Sequence, residues 1–206
     1  MSFSKDPPFG LGAPLRPFRL PEPLTGRLLG PEDFPEAKAL LVAFICNVCP
    51  DVQHVAGALA ALTRDFEPLG LQALAVNATS DGGAEEEPVA VAAEALRHGY
   101  VFPYLIDQTQ AVARAYHAVC TPDFYLFNRA RTLVYHGRFD ETRHGGRRAH
   151  GEDLRRAVQR AVRGEPALEH QVAAQGCNLW PPHSARVALG TATPAEGSSE
   201  GAPGLA

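Results

Sequence analysis

Residues 39–52 read Ala39-Leu-Leu-Val-Ala-Phe-Ile-Cys46-Asn-Val-Cys49-Pro-Asp-Val52. The run Ala39–Ile45 is apolar without alternation, as expected of a strand buried on both faces. Downstream, Val52, Val55, Ala56, Leu59, Leu62 and Phe66 recur at helical spacing, and Pro68 with Gly70 closes that helix. The pair Cys46-x-x-Cys49 therefore lies where a buried strand hands over to a helix. At such a turn the first sulfur is expected beside unpaired backbone N–H groups and the positive end of the helix dipole, which favour thiolate over thiol. The second sulfur, one turn on, can attack a mixed disulfide and release the substrate. Pro50 sits early in the helix, where a missing N–H costs little.

Outward from this stretch, strands and helices alternate. Leu71–Val76 reads as a second buried strand, followed by an Asp81-Gly-Gly turn and a helix over Val89–Arg97 with Glu85, Glu86 and Glu87 at its start. Phe102–Ile106 is a short third strand, and Asp107 or Thr109 caps a helix through Tyr116. Phe124–Phe127 and Thr132–Tyr135 flank Asn128-Arg-Ala-Arg as a hairpin, and Leu154, Val158 and Val162 stripe a last helix. The order β-α-β-α-β-α-β-β-α predicts an α/β fold with a mixed sheet covered by helices on both faces.

The chain has 206 residues, a size suited to one domain with extensions. A net charge of -4 gives no electrostatic reason to expect nucleic acid or an anionic membrane as partner. Residues 1–23 hold six prolines and no continuous apolar stretch. They do not read as a secretory signal, and an extended arm over the surface of a cytoplasmic protein is expected. Residues 24–180 form the folded domain, and 181–206, rich in small and polar residues, are expected to be disordered. Four cysteines are too few for a disulfide scaffold. A zinc site would need two ligands beyond the pair, from Cys120, Cys177 and His54, and there is no second C-x-x-C to supply a paired knuckle. A second feature is Val119-Cys120-Thr121-Pro122-Asp123, where Thr121-Pro122 invites a cis peptide bond.

The string Phe44-Ile-Cys46-Asn-Val-Cys49-Pro-Asp-Val52 resembles the active-site stretch of thioredoxin-like proteins. It is most similar to the bacterial branch grouped with the alkyl hydroperoxide reductase/thiol-specific antioxidant family, which reads F-x-C-N-H-C-P-Y-V there. Further matches run through Phe102–Tyr116, Cys120-Thr-Pro-Asp-Phe-Tyr-Leu-Phe127, Leu133-Val-Tyr-His-Gly-Arg-Phe-Asp140 and Gly176-Cys-Asn-Leu-Trp180, spanning roughly residues 20–180 in order. The resemblance implies a thioredoxin fold with an inserted helix–strand unit and a cis Pro122 facing the cysteine pair. The chain departs from the branch at Val48, where His is usual, and at Asp51, where Tyr is usual. Losing an imidazole removes a cation that stabilises thiolate, and a carboxylate aimed at the sulfurs raises their pKa. Reduced Cys46 then gains little beyond the helix terminus, and a reducing pair near the thioredoxin value of about −270 mV is expected.

Among lesser candidates, Cys120 is expected as a small buried residue. Cys177 is open between packing and a resolving role on a C-terminal extension. His54 is expected to be partly exposed, Arg138 to pair with Asp140 or Glu141, and the basic loop Arg143–His150 to be solvated. The leading function is thiol–disulfide oxidoreductase. Cys46 attacks, Cys49 resolves, and Pro122 with the Thr121 backbone lines the groove for a protein or small-molecule disulfide; no cofactor is required. The alternative is a thiol peroxidase acting on hydroperoxides. Aligned to the family's P-x-x-x-T-x-x-C, however, the chain has Cys46 for the threonine and Val42 for the proline. A metal-handling module of the C-P-x-x-C kind fails at Gln53, where the second cysteine would fall.

Overall fold

A computed structural model describes residues 9–79 and 83–179. The chain opens with a small antiparallel hairpin, β1 (Leu20–Glu22) and β2 (Arg27–Leu29). The sheet and helices follow as β3 (Ala39–Phe44), α1 (Pro50–Phe66), β4 (Leu71–Asn77), α2 (Pro88–His98), β5 (Tyr104–Ile106) and α3 (Ala111–Tyr116). Then come β6 (Cys120–Thr121), β7 (Asp123–Asn128), β8 (Leu133–Gly137), α4 (Glu152–Val162) and β9 (Cys177–Asn178).

The central sheet runs β5-β4-β3-β7-β8. β3 is parallel to β4 and antiparallel to β7, so the sheet is mixed, as the sequence order predicts. Every residue of β3 is buried, and alternate residues enter different cores. Ala39, Leu41 and Ala43 pack with α1, α2 and α4, whereas Leu40, Val42 and Phe44 pack with α3 and the N-terminal segment. Burying one such aliphatic side chain contributes about 1.5–3 kcal/mol, which makes this strand the anchor of both layers. α1 lays Val52, Val55, Leu59, Leu62 and Phe66 on the sheet at intervals of three and four residues. α3 is capped by Asp107, whose carboxylate accepts the N–H groups of Ala111 and Ala113 at 3.0 and 2.9 Å. None of the described helices is long and apolar enough to cross a membrane.

The N-terminal segment departs from the expected surface arm. Phe9, Phe18 and Leu20 are buried, and the Phe9 ring lies 5.0 Å from Tyr116 and 5.7 Å from Tyr125, centroid to centroid. The short α3 leaves that face of the sheet uncovered, and these rings complete the layer. The Asp81-Gly-Gly turn and the 181–206 tail lie outside the described residues, apart from Gly83, which opens a short 3-10 turn to Glu86. If residues 9–20 are part of the core, Phe9→Ala should destabilise the protein by about 3 kcal/mol, read as a lower urea midpoint at unchanged slope. A loss below about 0.5 kcal/mol, the size of an ordinary surface substitution, would return the segment to the surface.

Candidate active site

The loop between β3 and α1 carries Cys46 and Cys49 and is tied down from both sides. The Val48 N–H donates to Glu86 Oε1 at 2.8 Å, and Asn47 Nδ2 donates to the Glu85 carbonyl at 2.7 Å. The Tyr104 hydroxyl and the Gln53 amide reach Asn47 from the other side, at 3.1 and 2.7 Å. The sequence pattern puts Glu85 and Glu86 at the acidic start of a helix; in the fold Glu86 anchors the cysteine loop. The Thr121–Pro122 peptide is cis. Thr121 faces the pair, with its Oγ1 3.2 Å from Cys46 Sγ and its carbonyl 3.2 Å from Cys49 Sγ. Cys46, Cys49, Thr121 and Pro122, far apart in sequence, are thus brought together. Both sulfur-bearing residues are buried, Cys46 at 3% and Cys49 at 1% exposure.

The electrostatics differ from the expectation. α1 begins at Pro50, with Cys49 as its N-cap, so it is Cys49 and not Cys46 that meets the helix terminus. Cys49 Sγ accepts hydrogen bonds from the Cys46 thiol, the Cys177 thiol and the Val52 and Cys177 N–H groups, which together outweigh burial and lower its pKa to about 5. The same Cys46–Cys49 bond, with burial, pushes Cys46 up, and the Glu86 carboxylate adds to the rise; Thr121 and Thr79 hydroxyls oppose it. When protonated, Cys49 has the Thr121 carbonyl as an acceptor; when ionised, it has donors on its other sides.

The third sulfur near the site is Cys177, 2.7 Å from Cys49 Sγ. It arrives through β9, which pairs antiparallel with β6 so that Thr121 lies opposite Cys177 and Cys120 opposite Asn178. The groove edge expected to take a substrate strand therefore holds the chain's own residues 177–178. The approach depends on Gly176, where a Cβ would stand 1.9 Å from the Thr121 carbonyl oxygen. The path to it is held by the Arg138 N–H on the Val172 carbonyl at 3.0 Å and by Arg143 Nη1 on the Gln175 carbonyl at 3.0 Å. Beyond Cys177, the Leu179 N–H donates to the Val119 carbonyl and its side chain is buried. Burial and the Cys49 sulfur push the Cys177 thiol up to about 12, and the Asp51 carboxylate acts on Cys177 in the same sense.

The remaining sequence candidates fall elsewhere. Arg138 pairs with Asp153 at 2.7 Å, not with Asp140 or Glu141. The Asp140 carboxylate is taken up by Thr142 and by the His150 and Gly151 N–H groups, and this fixes the loop instead. His54, half-buried, bonds Thr142 Oγ1 at 2.9 Å, away from the sulfurs. Cys120 is buried, with burial and Asp123 raising its thiol to about 12. Cys49 Sγ, Cys177 Sγ and an Asp51 carboxylate oxygen lie within 4.8 Å of one another, three donors of a kind zinc accepts; His54 does not complete the set.

Two solved structures resemble the chain over most of both lengths. A hypothetical protein from Sinorhizobium meliloti is 44% identical with a TM-score of 0.80, covering 82% of this chain and 93% of that one. An uncharacterized conserved protein from Geobacillus kaustophilus is 39% identical, also at 0.80, covering 84% and 94%. The thioredoxin domain of a thiol-disulfide oxidoreductase from Bacteroides vulgatus shares the fold at 18% identity and a TM-score of 0.57, covering 74% and 98%. Among curated proteins nothing matches. The family model described as AhpC/TSA matches residues 11–136, across the cysteine loop, the cis proline and both central strand pairs, and the chain belongs to the AhpC/TSA family.

Proposed function

We propose that the protein is a thiol–disulfide oxidoreductase that cycles Cys46 and Cys49 between dithiol and disulfide. The observation that carries the reading is the convergence of Cys46 and Cys49 on Thr121 at the start of α1 and beside the cis proline, with Cys46 Sγ 3.2 Å from the Thr121 hydroxyl and Cys49 Sγ 3.2 Å from the Thr121 carbonyl oxygen. Thiolate is the attacking form, and Cys49, the N-cap of α1 and the sulfur whose pKa is lowered, is assigned the attack in place of Cys46. Cys49 attacks a substrate disulfide and expels one thiolate. Cys46 then attacks Cys49 Sγ, releases the second thiolate and closes the Cys46–Cys49 disulfide; the Cys46 proton goes to one product thiolate and solvent protonates the other. The substrate is a protein or small-molecule disulfide, and a cytoplasmic reductant that keeps thiols reduced regenerates the pair.

A thiolate held at a pKa of about 5 also changes the expected redox balance. Stabilising the reduced form makes a disulfide more oxidising, so the pair should titrate above the thioredoxin value of about −270 mV against glutathione. A midpoint at or below that value would mean that Glu86 and Asp51 cancel the helix terminus. The peroxidase reading keeps one observation in its favour, a cysteine as the N-cap of α1, directly before Pro50. Mild peroxide followed by mass spectrometry separates the two, since the oxidoreductase gives a disulfide and the peroxidase passes through a sulfenic acid on Cys49.

Two further outcomes follow from Cys49 as the attacking group. With oxidised glutathione, Cys49→Ser should lose turnover by about 10³-fold or more, while Cys46→Ser still releases the first thiol in a rapid burst. A burst lost in Cys46→Ser and kept in Cys49→Ser would hand the attack back to Cys46. The second outcome is a pH dependence of stability. An unfolded cysteine titrates near 8.5, so between about pH 5 and 8.5 the unfolded chain binds the extra proton. Stability of the reduced protein should therefore rise with pH across that window and be lost as pH falls through about 5. Above about 8.5 the raised Cys46 reverses the slope. Chemical denaturation at a series of pH values checks this, and a Cys49→Ser protein that kept the rise would remove its assignment to Cys49.

A further inference from the structure

We propose that Cys177 is a third redox cysteine, which takes over the disulfide from Cys46 by attacking Cys49 Sγ. The inference rests on the reading of Cys49 as a redox sulfur. Three observations meet on it. Cys177 Sγ lies in direct contact with Cys49 Sγ, at 2.7 Å. The chain spends several interactions on holding it there: pairing with Thr121, a glycine pressed against the Thr121 carbonyl, a buried Leu179 and the Arg143 tie to Gln175. A group held so has an effective concentration far above that of any thiol in solution. Finally, Cys49 Sγ, Cys177 Sγ and an Asp51 carboxylate oxygen lie within 4.8 Å of one another at the N-terminus of α1, so both sulfurs share one helix end.

The step exchanges one sulfur–sulfur bond for another and needs no outside electrons. Starting from the Cys46–Cys49 disulfide, the Cys177 sulfur bonds to Cys49 Sγ and the Cys46–Cys49 bond breaks. Cys46 leaves as thiolate and takes up the proton that Cys177 gives up. The charge pattern times this step. While Cys49 is a thiolate, it helps to keep the Cys177 proton in place. Once Cys49 is in a disulfide that charge is gone, which removes two of the causes that raise the Cys177 thiol and leaves burial and the Asp51 carboxylate against the Asp51 N–H. The transfer moves the disulfide from two buried residues to a pair with one half-buried member. There an external dithiol reaches it, cleaves it by the same exchange and carries the oxidation away as its own disulfide.

The test is to treat the reduced full-length protein with one equivalent of diamide, a dithiol oxidant, then block free thiols in acid, digest with trypsin and analyse by mass spectrometry. Cys46 and Cys49 share the tryptic peptide 39–64 and Cys177 lies on 164–186, so the two disulfides differ in kind. The expected result is a cross-link between these peptides in the wild type and in Cys46→Ser, and its loss in Cys177→Ser, where the loop within 39–64 forms instead. A wild type that closes only the loop within 39–64, with Cys177 fully blocked, would overturn the proposal and leave the Cys46–Cys49 reading intact. Absence of any disulfide at Cys49, within or between peptides, would overturn both.

Discussion

The first turn of α1 leaves N–H groups with no partner in the helix, and the site is built on where they point. Pro50 at the first helical position has no N–H to offer. The first donors available are therefore those of Asp51 and Val52, which favour the ionised forms of Cys177 and Cys49 respectively. Cys46 lies before the cap and is out of their reach. Its own loop is turned toward Glu86, which takes the Val48 N–H and sets a carboxylate near the Cys46 thiol. The helix terminus thus adds to what the Cys46 and Cys177 thiols do at Cys49, the Cys46 thiol being the larger cause. A Pro50 placed one residue later would leave a donor free for a different geometry, so the adjacency of Cys49 and Pro50 matters as much as the spacing of the cysteines.

The rest of the fold serves to bring acceptors and donors to that turn. β3 fixes the start of the loop because it is buried in both layers and paired on both sides. β7, registered with Phe44 opposite Asp123, carries the cis Thr121–Pro122 peptide to the level of the cysteines. β9 then closes over Thr121. The N-terminal rings act at a distance, since they cover the face where the short α3 leaves Val42 and Phe44 without a helix.

Much of this is legible in the chain because local pattern and burial coincide there. The unbroken run Ala39–Ile45, the helical stripe from Val52 to Phe66 and the hairpin around Asn128 each carry their own signal, and Thr121-Pro122 names its own isomer once the fold is recognised. What could not be read depends on contacts between distant residues. Cys177 is 128 residues from Cys49, and nothing in Gly176-Cys-Asn-Leu announces a strand two residues long. Phe9 and Phe18 sit among prolines, a composition that suggests an exposed arm, yet the bare sheet face decides their place. The start of α1 was open to a closer reading, because a proline directly after Cys49 marks the first helical position and makes that cysteine the cap.

On the proposed assignment, three sulfurs around one anion also account for a charge at a residue 1% exposed. Burial alone drives a thiol up, as it does at Cys120. At Cys49 the cost of burying the charge is offset by S–H groups on two sides and N–H groups on the others, so the anion is solvated by the protein itself. The donors are themselves cysteines, and this couples protonation to oxidation. Any disulfide made at Cys49 removes the anion and with it the reason for Cys46 or Cys177 to hold its proton. A pair of thiols could trade one proton between two states; on the proposed exchange a third thiol adds a state in which Cys46 is again a thiol while the oxidation sits in a disulfide between Cys49 and the half-buried Cys177. On that proposal the strand that fills the groove is part of the redox centre, since Cys177 sits opposite Thr121 at its edge.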